Sequence, residues 1–356
     1  MRHLKFLFLV VLGLSTASGT GHLAASDVRD DLLRQKKPAK TLSAYGLFSG
    51  PNQRVPAASL IDYDLNNPLF TDYARKFRYV YVPEEAAPTP LQMTHALDFP
   101  VGSVLVKTFA YPASFKNPDQ DIRFIETRLL VHKEDGWKGY PYVWNDDQTE
   151  AFLKVAGKRL NIEVEWDDGR SEVIPYVVPN MNQCKGCHGD AEKKLGPVGP
   201  KIRNLNRPHK SARQNQISYL QERGYLERTT TSLTDFPRVP DPFDPSDGTL
   251  EARARSYLDG NCAHCHSPGR PADTSGLYLD YTEEREVHWG LNKPPVAAGR
   301  GSGGLDVDIA PGDPERSILF YRMKSTDPGI MMPELGRSLV HEEAIKLISD
   351  FIKALE

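Results

Sequence analysis

The chain contains four cysteines, and all four lie in two short strings of the form Cys-x-x-Cys-His. The strings are Cys184-Lys185-Gly186-Cys187-His188 and Cys262-Ala263-His264-Cys265-His266. Two thiols at this spacing reach the two vinyl groups along one edge of a porphyrin, and the next histidine lies beneath the ring, where its imidazole binds iron. The strings therefore predict two covalent haem c groups, attached through the four cysteines, with His188 and His266 as iron ligands.

Three other interpretations of the cysteine pairs compete with haem attachment. A thioredoxin-like dithiol needs a βαβ context and no histidine. A zinc ribbon brings its two pairs closer together than the 75 positions that separate Cys187 from Cys262. Two disulfides, which an oxidising compartment would favour, explain neither histidine.

Residues 1–19 have the pattern of a signal peptide. Arg2 and Lys5 precede an apolar run over residues 6–14, and small residues follow it. The run is shorter than the about 20 residues that a membrane-spanning helix needs, so we expect export to the periplasm with cleavage after Ala17 or Gly19. No later stretch predicts a transmembrane segment, and the formal net charge of -3 gives no indication of a nucleic-acid partner.

The sequence after a linker at 20–45 predicts a β-rich domain over residues 46–228. Stretches rich in β-branched and aromatic residues lie at 77–82, 101–111, 123–132 and 161–166. Asp167-Asp168-Gly169 is typical of a hairpin turn. The fold class predicted for the whole chain is therefore α+β, with a mostly antiparallel N-terminal β domain that ends in the first attachment string and carries haem 1.

A Pro-rich stretch at 229–248 is interpreted as a linker to a C-terminal domain at 249–356. Apolar periodicity predicts helices at 250–258, after Asp313-Pro314, and near the C-terminus. The order of helix, attachment string, helix, Met-Pro loop and closing helix resembles class I cytochrome c. The resemblance implies an all-α domain that carries haem 2, with Met332 as axial iron ligand and Met331 or Met323 as alternatives.

The sixth ligand of haem 1 is not evident from the sequence. His209 lies in a basic loop after the first string and is a candidate, beside His95, Met93, His132 and Met181. A β domain followed by an attachment string, with the phrase at 99–107, resembles cytochromes of the c′-β type, which implies an open sixth position. Three cations in the C-terminal part are candidates to pair with haem propionates: Lys293, Arg300 and Arg322.

Longer strings resemble a bacterial family of exported dihaem c-type cytochromes of uncharacterised role. They lie at 67–74, 125–130, 142–145, 178–183 and 309–314. The resemblance implies a redox partner in the periplasm, among which an exported parallel β-helix protein is a candidate. Electron transfer is the function we expect. The alternative is a redox enzyme that acts on peroxide or nitric oxide at an open haem 1, although dihaem peroxidases lack a long β domain before the first string.

Overall fold

The structure is a computed structural model and describes residues 28–355. The predicted signal peptide lies outside the described residues. In the part of the chain that is described, no helix combines the length and the apolar character needed to cross a membrane.

In the described residues, ten strands lie between positions 48 and 178, and each pairs antiparallel with a neighbour. They are β1 (Phe48–Ser49), β2 (Val55–Pro56), β3 (Ile61–Asp62), β4 (Arg75–Tyr81), β5 (Val104–Tyr111), β6 (Arg123–Lys133), β7 (Gly136–Trp144), β8 (Ala151–Leu153), β9 (Lys158–Glu165) and β10 (Ser171–Val178). Strands β3 to β8 form one six-stranded sheet in sequence order, while β1–β2 and β9–β10 are separate two-stranded sheets. The predicted antiparallel β region and the turn at Asp168 are confirmed.

Side chains alternate between the two faces of the large sheet, as the pleat requires. One face carries Val106, Leu129 and Tyr140, which pack in a core with the segment before β3. The other face carries Val80 and Leu130 in a second core, which includes the helices that follow the first string. The β9–β10 hairpin packs against the far end of this second face and forms a separate core with it. The part of the face between the hairpin and these helices is open, because neither covers it.

Eight α-helices of the described residues are short or lie near the C-terminus. They are α1 (Asp30–Arg34), α2 (Cys184–His188), α3 (Ile202–Leu205), α4 (Gln216–Glu222), α5 (Leu250–Asn261), α6 (Glu286–Trp289), α7 (Ile318–Lys324) and α8 (Glu342–Lys353). Single turns of 3-10 helix lie at Ser43–Tyr45, Pro51–Gln53, Met181–Gln183, Leu233–Asp235, Asp273–Ser275, Gly299–Ser302 and Pro314–Arg316.

The predicted all-α, cytochrome c-like C-terminal domain is wrong, because the protein is mostly sheet and its helices are few. The helices expected at 250–258 and near the C-terminus are present as α5 and α8. Between α5 and α7, however, the chain forms irregular segments and single turns, with isolated parallel bridges such as Leu291↔Ile309. Pro and Gly are frequent there and cannot sustain a helix.

A buried ion network joins the β-rich half to α5. Arg203 donates to Asp259 at 2.8 Å, and both side chains are almost fully buried, at 1% and 0% exposure. Lys201 reaches Asp259 at 3.0 Å, and Asp280 accepts from Arg203 at 2.6 Å. Burial opposes ionisation of Asp259, but Lys201 and Arg203 outweigh it and lower the pKa of the carboxyl group.

The segment at 67–74 forms a second connection between the two halves. Asn67 donates to the Ser256 carbonyl at 2.8 Å, and Asp72 accepts from the backbone of Ser338 and Leu339 at 2.7 Å. In α5, a Cβ at Gly260 would collide with the carbonyl of Asn67. The two halves therefore pack through specific polar contacts.

We predict that Asp259→Asn lowers the free energy of unfolding by about 3 kcal/mol, because breaking a buried ion pair leaves the partner charge uncompensated. Denaturant unfolding followed by circular dichroism measures this value. Asp168→Asn, in the exposed turn between β9 and β10, is the control and should change stability little. Equal effects of the two variants would contradict the role given to the network.

Candidate functional site

The first string is placed by the end of the β9–β10 hairpin. After β10, the side chain of Asn180 accepts from the backbone N–H of Gln183 at 3.0 Å, and the side chain of Gln183 accepts from that of Asn180 at 2.9 Å. This reciprocal capping box satisfies free N–H groups and starts the turn that continues as α2. The string Cys184–His188 therefore forms one short helix.

Cys184 packs against the sheet at a position that only glycine fits. A Cβ on Gly139 of β7 would lie 2.9 Å from Sγ of Cys184. Burial raises the pKa of the Cys184 thiol. The absent side chain at Gly139 thus leaves the space in which the first cysteine sits.

His188 has one ring nitrogen bound to the chain and the other free for a ligand. Its Nδ1 lies 3.0 Å from the Gly196 carbonyl and donates to it, so Nε2 has a lone pair. Burial lowers the pKa of His188, which favours the neutral imidazole. Neutral imidazole with an oriented Nδ1–H is the form that binds metals.

The second string follows the C-terminal end of α5. The backbone N–H groups of Cys265 and His266 donate to the Cys262 carbonyl at 3.0 and 2.9 Å, which keeps the string in a compact turn. Burial raises the pKa of the Cys262 thiol to about 12 and lowers the pKa of His266 to about 4. All four cysteines are free thiols.

The two strings touch each other in the fold. Sγ of Cys265 donates to the Gly186 carbonyl at 3.1 Å. The thiols of Cys187 and Cys265 also share a hydrogen bond, which together with His264 lowers the pKa of Cys187 well below its usual value. Cys187 and Cys265, 78 positions apart in sequence, are thus direct neighbours.

A cavity of about 760 Å³ lies between the open face of the sheet and both strings. Its volume is in the range of about 300–1,000 Å³ that is typical of ligand and cofactor sites. His188 and His264 line it, and His95 lines it from the loop before β5. Its other lining residues that matter below are Arg78, Leu105, Lys107, Arg128, Leu130, Gly139, Cys184, Cys187, Lys201 and Asp259.

Met332 lies with Cys262 at a much smaller cavity of about 20 Å³. This space is about the size of one water molecule and does not fit a porphyrin. His266 lines neither of these two cavities. The structure therefore brings Met332 to the second string, but does not place Met332 and His266 around a common cavity.

The structure does not bring His209 to the large cavity. Nδ1 of His209 accepts from the backbone N–H groups of Ser211 and Ala212, both at 3.1 Å, and Nε2 donates to the Asp62 carbonyl at 3.0 Å. Both ring nitrogens are thereby used by the chain, and the His209 side chain is buried. Of the other candidates, His132 binds the Phe99 carbonyl at 2.6 Å.

The cations predicted to meet haem propionates have partners elsewhere. Lys293 pairs with Asp308 at 3.0 Å and Arg300 with Asp327 at 2.5 Å. Nε of Arg322 donates to the Ile330 carbonyl at 2.8 Å. The cavity instead holds Arg78, Lys107 and Arg128, which sequence analysis missed because they lie on three different strands and meet only through strand register.

Within residues 28–355, no three His, Cys, Asp or Glu side chains converge as a metal-binding group. Comparisons of the chain with protein-family models, with curated proteins and with solved structures found no match.

We predict that His209→Ala destabilises the protein without affecting the cavity. It leaves the backbone N–H groups of Ser211 and Ala212 without their acceptor and removes a buried ring that packs against Tyr219, which together cost about 1–3 kcal/mol. Denaturant unfolding measures the loss. His95→Ala is the matched control, because His95 is exposed, and should leave stability nearly unchanged. A His95→Ala loss as large as that of His209→Ala would contradict this assignment.

Proposed function

We propose that the protein is an exported c-type cytochrome that carries two haem c groups and transfers electrons in the periplasm. The observation that supports this most strongly is the meeting of the two Cys-x-x-Cys-His strings at one large cavity. Export rests on the pattern of residues 1–19. The redox partner is a periplasmic protein, for which an exported parallel β-helix protein is our candidate.

The residues at the first string fit a haem c. Cys184 and Cys187 are free thiols at the cavity wall, and they would form the two thioether bonds. His188 would supply Nε2 to the iron, since its Nδ1 is held by the Gly196 carbonyl. The apolar wall at Leu105 and Leu130 excludes water from this side of the cavity.

Attachment of the second haem rests on the string itself. Cys262 and Cys265 would form the thioether bonds and His266 would be the proximal ligand, with Met332 as the axial ligand expected from the sequence. Haem c supplies reversible one-electron chemistry when bound. The contact between Cys265 and Gly186 supports electron transfer as the activity, because it joins the two attachment sites directly.

The mature protein should hold two covalent haems. Pyridine haemochrome assay after acid-acetone extraction counts them, since thioether bonds survive extraction. Cys184→Ser combined with Cys187→Ser should leave one haem, and so should Cys262→Ser combined with Cys265→Ser. One haem in the unaltered protein, or bound zinc, would refute the dihaem proposal.

Redox chemistry on a small molecule at haem 1 is the second candidate. The 760 Å³ cavity favours it, because its cationic lining would attract an anion. His95, rather than His209, is then the side chain that decides whether the sixth position is open. A filled position favours electron transfer alone, and an open position favours an enzyme.

Carbon monoxide titration of the reduced protein tests this point. If the sixth position of haem 1 is open, we expect about one carbon monoxide per chain, and His95→Ala and His209→Ala should bind the same amount. If the unaltered protein binds none and only His95→Ala binds one, His95 is the sixth ligand and the enzyme candidate is refuted.

A further inference from the structure

Three cationic side chains stand side by side on the open face of the sheet. Arg78 on β4 is directly opposite Lys107 on β5, and Lys107 is directly opposite Arg128 on β6. Opposed residues of antiparallel strands project from the same face with Cβ atoms about 5 Å apart, and like charges in this position are destabilising. All three line the 760 Å³ cavity. We call these three residues the cation row.

The cation row does not lie on a solvent-exposed surface. The adjacent row across the same strands is Val80, Leu105 and Leu130, all buried in an apolar core. The side chain of Arg78 is only 4% exposed. Charged side chains placed beside an apolar core need partners of opposite charge.

The carboxylates nearby do not balance the row. Arg78 pairs with Asp64 at 2.9 Å, and Arg128 with Glu126 at 2.9 Å. Within the described part of the chain, the ammonium group of Lys107 has neither a hydrogen bond nor an ion pair. Its nitrogen lies 4.9 Å from the centroid of the Phe109 ring. Two carboxylates thus face three cations.

Lys76 adds a further cation two positions before Arg78, on the same face of β4. Its Nζ donates to the Ala74 carbonyl at 3.0 Å, so it brings no carboxylate to the row. The face therefore holds more basic side chains than carboxylates paired with them.

Two further observations indicate a missing acceptor. Nη2 of Arg78 is buried and has no hydrogen-bond partner. Burial and the neighbouring cations lower the pKa of Lys107 well below its usual value, and burial lowers the pKa of Lys76 to about 7. The chain therefore keeps charged groups in an unfavourable place, where a bound anion would stabilise them.

We propose that the cation row is a carboxylate-binding site on the floor of the cavity. The carboxylate comes from one of two sources: the two propionates of a haem attached at Cys184 and Cys187, in which case the inference rests on the proposed function, or a small free carboxylic acid. Charge-assisted hydrogen bonds from the guanidinium and ammonium groups hold the ligand.

The row also has the right placement for a group attached at Cys184. Gly139, against which Cys184 packs, is directly opposite Leu130, so Arg128 is its diagonal neighbour at about 7–8 Å. Arg78 lies two strands from Arg128, or about 10 Å. The row therefore begins beside the attachment point and extends across the cavity floor.

The test uses the full-length protein as purified, together with Lys107→Met, Lys107→Arg and Lys158→Met. Lys107→Met removes the charge at nearly constant length, and Lys107→Arg retains the charge. Lys158→Met alters an exposed lysine of β9 as a matched control. Should Lys107→Met fail to fold, Lys107→Gln replaces it. Each protein is titrated with acetate, and binding is monitored through the melting temperature. In a second measurement, the carboxylate stretching bands of ¹³C-propionate haem are recorded by infrared difference spectroscopy.

The two measurements distinguish between the two sources of the carboxylate. If propionates are the source, the propionate bands of Lys107→Met shift from those of the unaltered protein, Lys107→Arg retains them, and acetate has no effect. If a free acid is the source, acetate raises the melting temperature saturably, and Lys107→Met weakens this binding about tenfold or more.

The carboxylate site is overturned if Lys107→Met matches Lys158→Met in both measurements, or if the unaltered protein shows neither an acetate response nor propionate bands shifted from those of hydrated carboxylates. A chain without covalent haem at the first string would refute the proposed function instead. The acetate titration of that chain would still decide whether the row binds a carboxylate.

Discussion

The relative position of the two Cys-x-x-Cys-His strings depends on the buried ion network at Asp259. This carboxylate lies three residues before Cys262, in the last turn of α5. Its partners Arg203 and Lys201 belong to the segment that follows the first string. Because the charges are buried, their attraction is weakly screened and their geometry is fixed. One interaction therefore sets the distance between the two strings and keeps a wall of the cavity in place.

The contacts of residues 67–74 explain part of the sequence of one of the segments on which the family resemblance rests. Phe70 stacks on His341 with ring centroids 4.0 Å apart, and its backbone N–H donates to the Asn261 side chain at 2.7 Å. Asp72 and Tyr73 adopt left-handed backbone conformations, which bend the chain back towards β4. Packing between the two halves thus accounts for part of this segment, and Asn67, Leu69 and Thr71 also line the large cavity.

Local patterns in the sequence predict much of the secondary structure but little of the site. Strands β4, β5, β6 and β9 are rich in β-branched and aromatic residues and were predicted on that basis, whereas β7 contains Gly136, Gly139 and Pro141, which obscure its pattern. Helices α5 and α8 were predicted from their periodicity. The predicted all-α domain was wrong. Helices at the start and end of the C-terminal part do not determine the structure of the long irregular segment between them.

The parts of the site that sequence analysis missed depend on contacts between distant residues. Nothing near Cys187 indicates that Cys265 is its neighbour. The row formed by Arg78, Lys107 and Arg128 follows from strand register, which single strands do not encode. In the sequence, His209 and His95 are both isolated histidines. Only their surroundings in the fold show that His209 has a structural role and that His95 lies at the cavity.

The contact between Cys187 and Cys265 restricts the order of events during biogenesis. The lowered pKa of Cys187 favours its thiolate, whereas the pKa of Cys265 is raised, so a chain that folds with free cysteines would present an oxidant with a thiolate directly beside a protonated thiol. Oxidation would then cross-link the strings and consume one cysteine from each. If the strings carry haem as proposed, the thiols must stay reduced until at least one string is modified or the β-rich half closes onto α5 too late to bring them together.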